Sequence, residues 1–173
     1  MDISQIQKCD LLIQSYCNFV LNAELVNSKF VNSEYFNEMN FQNINAKNIL
    51  REIGIDNQGY LLIALYTLLV IPKELFNYSE NITKWLDNSL YDIDSDYKKQ
   101  KDNLEHIRNS IAHSKVRFSP KNYIEFYDEV IKYGKTTAHY QAKLELTKIP
   151  DFLELLQKEI VIHIDKCQKN INS

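Results

Sequence analysis

The segment Arg108-Asn109-Ser110-Ile111-Ala112-His113 brings a guanidinium, an amide and an imidazole into six consecutive residues. RNA carries its own nucleophile, the 2′-hydroxyl, so its cleavage requires proton transfer and charge stabilisation but no metal. A histidine, with an ordinary pKa of about 6.5, can take or give a proton near neutrality. An arginine stays charged and grips a phosphate with two parallel hydrogen bonds as negative charge builds. An asparagine orients the phosphate or the imidazole. One such set is thin for a complete site, whereas two sets meeting across a twofold axis supply paired groups and a positive cleft. The competing reading is purely local: Arg108 pairs with Glu105, and His113 ends a helix favourably against its dipole.

The spacing predicts a helix from Asp96 to about His113. At about 100° per residue, Leu104, Ile107 and Ile111 gather on one side and must face the core. Asn109 and His113, four apart, share nearly the opposite side, with Arg108 on the flank and Glu105 and Ala112 beside it. The polar set is therefore expected on an outward face, where small Ala112 admits a second chain or a substrate. Lys98-Lys99-Gln100-Lys101 and Lys115-Val116-Arg117 add positive charge on either side. Lys115 and Arg117 are the candidate substrate-binding residues.

The rest of the chain reads as helices around this one. Apolar residues spaced three and four apart predict a helix from Ser4 to Val26. An Asn-rich segment follows, with a short helix over Ala46 to Ile53 that ends at Gly54, and with Tyr35, Phe36 and Phe41 either stacking on bases or anchoring the segment to the core. A nearly all-apolar helix from Asn57 to Phe76, kinked or ended at Pro72, is the central element. Ser79 caps a helix to about Leu90, and Asp92 to Asp96 reads as a turn and an acidic helix start. Beyond His113 the period changes to two over Asn122 to Asp128 and Ala138 to Thr147, predicting a small hairpin around a loop containing Gly134. Pro150 and Asp151 open the last helix.

Composition limits the function classes. The 173 residues fit one domain, residues 1–173, with 45% hydrophobic and 25% charged residues and only three Gly and three Pro. That scarcity of turn formers suits long helices and argues against a many-stranded barrel. The net charge of −3 argues against a protein that coats nucleic acid through broad phosphate neutralisation. Cys9, Cys17 and Cys167 lack C-x-x-C spacing and read as reduced thiols of a cytoplasmic protein. No signal peptide or membrane span is expected: the apolar stretch from Tyr60 to Ile71 is too short to cross a bilayer. His106 lies seven before His113, but no H-x-x-x-H or H-x-x-E-H pattern appears, so neither metal nor cofactor is expected. His139 and His163 read as structural histidines.

The Arg108-to-His113 segment resembles the R-x(4–6)-H motif of the HEPN superfamily (higher eukaryotes and prokaryotes nucleotide-binding domains), with its polar residue after the arginine. Gln58 to Glu74 is similar to the central helix of a bacterial and plasmid-borne HEPN subfamily, and Ile124-Glu125-Phe126-Tyr127-Asp128 resembles its hairpin. The resemblance implies an all-α fold, an up-and-down bundle of four to five helices with a small β-hairpin before the last. It also implies a symmetric homodimer and metal-independent endoribonuclease activity in toxins, anti-phage defence and RNA processing. Arg108 and His113 would be catalytic and Asn109 the motif's third member, with RNA as substrate and an antitoxin or defence-system protein as partner. One departure stands out. HEPN toxins silenced by a nucleotidyltransferase partner carry a Tyr two residues after the His, where this chain has Lys115. Other HEPN domains have lost catalysis and bind RNA, a nucleotide or a protein.

Overall fold

The computed structural model describes residues 3–97, 102–132 and 135–171. The chain opens with helix α1 (Ile3–Asn27), whose Leu12 and Phe19 are buried in the core. Helix α2 (Glu34–Glu38) starts where the Ser33 hydroxyl accepts the Phe36 N–H. Helix α3 (Ile44–Ile53) starts at Asn43, whose side chain accepts from the N–H groups of Asn45 and Ala46. It ends at Gly54, held at φ +73°, where an added Cβ would lie 2.7 Å from the Asp56 carboxylate. Phe36 is buried between edge-on Phe30 and Phe41, so that aromatic group anchors the Asn-rich segment as a satellite core. Tyr35 stays exposed. Beneath these rings the buried Lys47 ammonium donates to the carbonyls of Asn37 (2.7 Å) and Met39 (2.6 Å).

The central helix α4 (Gln58–Leu65) runs on through a π-helical turn (Tyr66–Val70) and a 3-10 turn (Ile71–Glu74). Pro72 explains the change of pitch. It has no N–H for the carbonyl four residues before it, Leu68, and its ring crowds that carbonyl. The Tyr78 hydroxyl donates to the Leu68 carbonyl instead. Helix α5 (Glu80–Ser89) starts at Ser79, but its cap comes from elsewhere: Glu159 accepts both the Ser79 backbone N–H (2.9 Å) and its hydroxyl. That carboxylate belongs to the last helix, α7 (Ile149–Ile171). Trp85 of α5 stacks on Phe152 of α7 at 5.0 Å.

The second half departs from an all-α bundle. Four antiparallel strands, β1 (Tyr91–Ser95), β2 (Val116–Ser119), β3 (Tyr123–Lys132) and β4 (Lys135–Glu145), form one sheet in the order β1-β4-β3-β2. The alternation seen in β3 and β4 is the predicted hairpin, with the Gly134 loop outside the described residues. The two outer strands were not expected. Asp92 to Ser95 of the acidic run lie in strand β1 rather than in a turn before a helix, because the β4 edge supplies hydrogen-bond partners that the local sequence does not reveal. Period two places Ile124, Phe126 and Asp128 of β3 on the same face as Leu144, Ala142 and Tyr140 of β4, and all six are buried. Helix α6 (Asn103–Ala112) packs on that face.

Cys9 and Cys167 form a disulfide between α1 and α7, with Cα atoms 5.7 Å apart. This corrects the expectation of three reduced thiols: the two helices pack side by side and bring together residues 158 apart in sequence. Only Cys17 is a free, exposed thiol. A disulfide is ordinarily a mark of oxidising compartments, so cysteine usage no longer assigns this chain to a reducing one. No single helix among the described residues is long and apolar enough to cross a membrane.

Candidate active site

Helix α6 carries the whole motif, and its two ends explain where the motif's residues point. Asp102 caps the start, accepting the Glu105 N–H at 2.7 Å. Residues 98–101, with Lys98, Lys99 and Lys101, lie outside the described residues. At the other end His113 is the C-cap, followed by Ser114 in the left-handed region at φ +54°. Ser114 N–H bonds to the Ile111 carbonyl (3.1 Å) and Lys115 N–H to the Ser110 carbonyl (2.7 Å), which closes the helix and turns the chain into β2. His113 and Ala112 are exposed at this turn.

Arg108 and His113 are five residues apart and therefore diverge by about 140° around the helix. Arg108 is half-buried on the core side, and its Nε is buried without a hydrogen-bond partner among the described residues. Its charge acts on the Tyr78 phenol. Burial first and Glu159 second hold that pKa well above the usual tyrosine value, and Arg108 works against them.

The outward placement expected for Asn109 is corrected. Asn109 is half-buried, and its Nδ2 donates to Asp128 Oδ2 at 3.1 Å. The same oxygen lies 2.8 Å from His106 Nδ1, and both His106 and Asp128 are buried. His106 stacks on Tyr140 (4.2 Å between centroids, 9° between planes) and meets Tyr97 edge-on at 4.5 Å. The register explains the grip: Asp128 and Tyr140 are cross-strand partners, so they close on one side chain of the helix above. His106 was passed over in the sequence because it fits no ligand spacing. The signal that locates it is the alternation Ile124-Glu125-Phe126-Tyr127-Asp128, which turns Asp128 inward and obliges a buried acid to find a donor.

The two candidate substrate-binding cations follow His113 into β2. Lys115 Nζ bonds to Glu129 at 2.9 Å, and the Arg117 guanidinium bonds to Glu125 at 2.6 Å. Glu125 is buried, which pulls its pKa up. Hydrogen bonds from Tyr127, Gln141 and Arg117, together with the Arg117 charge, outweigh that and leave it below the usual carboxylate range. Lys115 and Arg117 line a cleft of about 390 Å³ that also reaches Asp128, His139 and Tyr140. His139 lies at its rim, with both ring nitrogens on carboxylates of or next to β1: Nε2 to Asp94 at 3.2 Å and Nδ1 to Asp96 at 3.0 Å. His163 stacks on Phe76 at 3.5 Å. Among the described residues no group of three or more His, Cys, Asp or Glu is placed to hold a metal ion.

One chain thus presents an exposed imidazole, an arginine with an unpartnered Nε on another side of the same helix, and an amide tied to a buried acid. No curated protein and no solved structure matches the chain. The family model described as HEPN pEK499 p136 matches residues 1–166, almost the whole length. With its motif on one helix of a largely helical fold, the chain belongs to the HEPN superfamily.

Proposed function

We propose that the protein is a metal-independent endoribonuclease whose active centre forms when two copies bring their α6 helices together. The observation that carries this reading is the divergence of Arg108 and His113 on one helix, with His113 exposed and the Arg108 Nε unpartnered. A single chain does not bring the two groups into one site, and small, exposed Ala112 lies between them on the helix surface. In the reaction the 2′-oxygen bonds to the adjacent phosphorus and the bond to the leaving 5′-oxygen breaks. One imidazole takes the hydroxyl proton, the other protonates the leaving oxygen, and the guanidinium stabilises the phosphorane charge. The products are a 2′,3′-cyclic phosphate and a 5′-hydroxyl. Lys115 and Arg117 would contact RNA only by exchanging their carboxylate partners for phosphate. The cellular role in this reading is a cytoplasmic toxin or anti-phage effector held in check by a partner protein.

The test is cleavage of single-stranded RNA or tRNA in EDTA by purified protein. Wild type should cut, and Arg108→Ala and His113→Ala should be inactive yet folded. Mixing wild type with an excess of the His113→Ala variant should suppress cutting, because a mixed dimer keeps only one of the two imidazoles that the reaction uses. Robust cutting by either variant alone would sink the assignment.

A second reading, a non-catalytic HEPN module, is favoured by the Asn109 amide being held by Asp128 and by the pairing of Lys115 and Arg117. Expression in bacteria separates the two. Toxicity relieved by His113→Ala supports the nuclease, and indifference to both proteins supports the module.

A further inference from the structure

The cleft that Lys115 and Arg117 line lies on the face of the sheet opposite α6. Tyr127 and Glu129 alternate with the buried Phe126 and Asp128 along β3, and His139 is the cross-strand partner of Glu129. Ser114 also lines the cleft, which therefore begins one residue after exposed His113. The Tyr127 N–H donates to the Lys115 carbonyl at 3.0 Å and holds this junction against β3. At about 390 Å³ the cleft falls in the size range of small-molecule sites.

We propose that this cleft recognises a guanine base of the RNA, that of the nucleotide at the scissile phosphate, through the Glu129 carboxylate. The inference rests on the reading that the chain cuts RNA at His113. Glu129 is one-third exposed on its side chain. Bonds from Lys115 (2.9 Å) and Thr136 (3.1 Å), and then the Lys115 charge, hold its carboxyl below the usual carboxylate range. Each oxygen takes one of these donors, and a carboxylate accepts about four. Only guanine carries two adjacent donors on its Watson–Crick edge, N1–H and N2–H, which match the two oxygens of a carboxylate. Adenine and cytosine set a ring-nitrogen lone pair beside one amino group, and uracil flanks one N–H with two carbonyls, so each turns an acceptor toward Glu129.

Two neighbours complete the match. The Arg117 side chain is 67% exposed and meets Glu125 through Nη2, which leaves donors for the guanine O6 and N7 acceptors. The Tyr127 ring lines the cleft as a stacking surface, with its hydroxyl anchored on Glu125. Recognition also frees a cation. A base that takes over Glu129 releases the Lys115 ammonium, two residues from His113, to the phosphate. The exchange of partners that RNA contact demands is thereby conditional on the base.

The experiment is calorimetric titration of the full-length protein at physiological salt with the 3′-monophosphates of guanosine, adenosine, cytidine and uridine. 3′-GMP should bind about tenfold or more tightly than the other three. Glu129→Gln, checked for folding by circular dichroism, should bind all four alike, whereas Glu145→Gln, at the other end of β4, should keep the preference. A misfolded variant would lose every ligand, so loss of selectivity alone marks recognition. Four equal affinities in the wild type, no binding at millimolar concentration, or a preference that survives Glu129→Gln would overturn the proposal. So would tighter binding of GTP than of 3′-GMP, which would assign the cleft to a free nucleotide. The nuclease reading fails separately. Selective 3′-GMP binding without RNA cutting removes the nuclease and leaves the guanine site; cutting at bonds that no guanine flanks removes the guanine site and leaves the nuclease.

Discussion

Replacing Asp128 by alanine tests whether one buried carboxylate organises α6 on the sheet. The substitution removes the acceptor for His106 Nδ1 at 2.8 Å and for Asn109 Nδ2 at 3.1 Å. Each buried donor left without a partner costs about 1–3 kcal/mol. Asn109 is only half-buried and can recover part of its loss from water, so the expected total is about 3–4 kcal/mol. For a chain of this length about 2–4 °C of Tm accompanies each kcal/mol, which predicts a fall of about 6–16 °C. Asp128→Asn keeps a carbonyl acceptor but turns an amide N–H toward a donor, and should lose about half as much. Urea unfolding followed by circular dichroism at neutral pH gives the free energies. A double-mutant cycle with His106→Phe should show coupling of about 1–3 kcal/mol, because the two side chains share one hydrogen bond. A loss below about 1 kcal/mol for Asp128→Ala, or additive behaviour in the cycle, would refute the reasoning.

Two further predictions address the ends of the chain and the sheet edge. The Cys9–Cys167 disulfide closes a loop spanning 158 residues, so reduction or Cys9→Ser should lower unfolding free energy by about 3–5 kcal/mol. Thiol titration of the native protein should find one reactive group, Cys17, and an unchanged midpoint on reduction would count against the bridge. His139 is bonded to Asp94 and then Asp96, and these carboxylates raise its pKa above the ordinary 6.5. A folded-state value above the unfolded one means the clamp between β1 and β4 is at full strength below about pH 6.5. It is lost as pH rises through the raised value. The His139 ring, followed by NMR, should titrate above 6.5, and His139→Gln should remove this pH-dependent loss of stability; a midpoint at or below 6.5 dismisses the clamp.

Helix periodicity was the most legible feature. The apolar spacing of α1, the Gly54 end of α3 and the Pro150-Asp151 start of α7 each act through residues within one or two turns, so a local pattern suffices to place them. The central helix was also legible, including the break at Pro72, because a missing N–H is a property of one residue. Strand β1 was not. Its acids and single Ile93 favour a turn locally, and only the β4 edge makes them a strand. The pairing of β1 with β4, the Glu159 cap on α5 and the Cys9–Cys167 bridge were hidden for the same reason: each joins residues about 40 or more positions apart.

The candidate site divides along the same line. Its chemistry, an arginine, an amide and a histidine on one helix with His113 at the exposed end, was determined by residue identity and a period of 3.6. The orientation of Asn109 was not, because an isolated helix cannot say which of its faces a sheet will cover. The tertiary structure decided that face by pairing Asp128 with Tyr140 and closing both on His106. A buried carboxylate must be met by donors, and the donors that α6 offered were His106 and Asn109. The motif was therefore written in sequence, while the network that holds its middle residue arose only when the sheet packed against the helix.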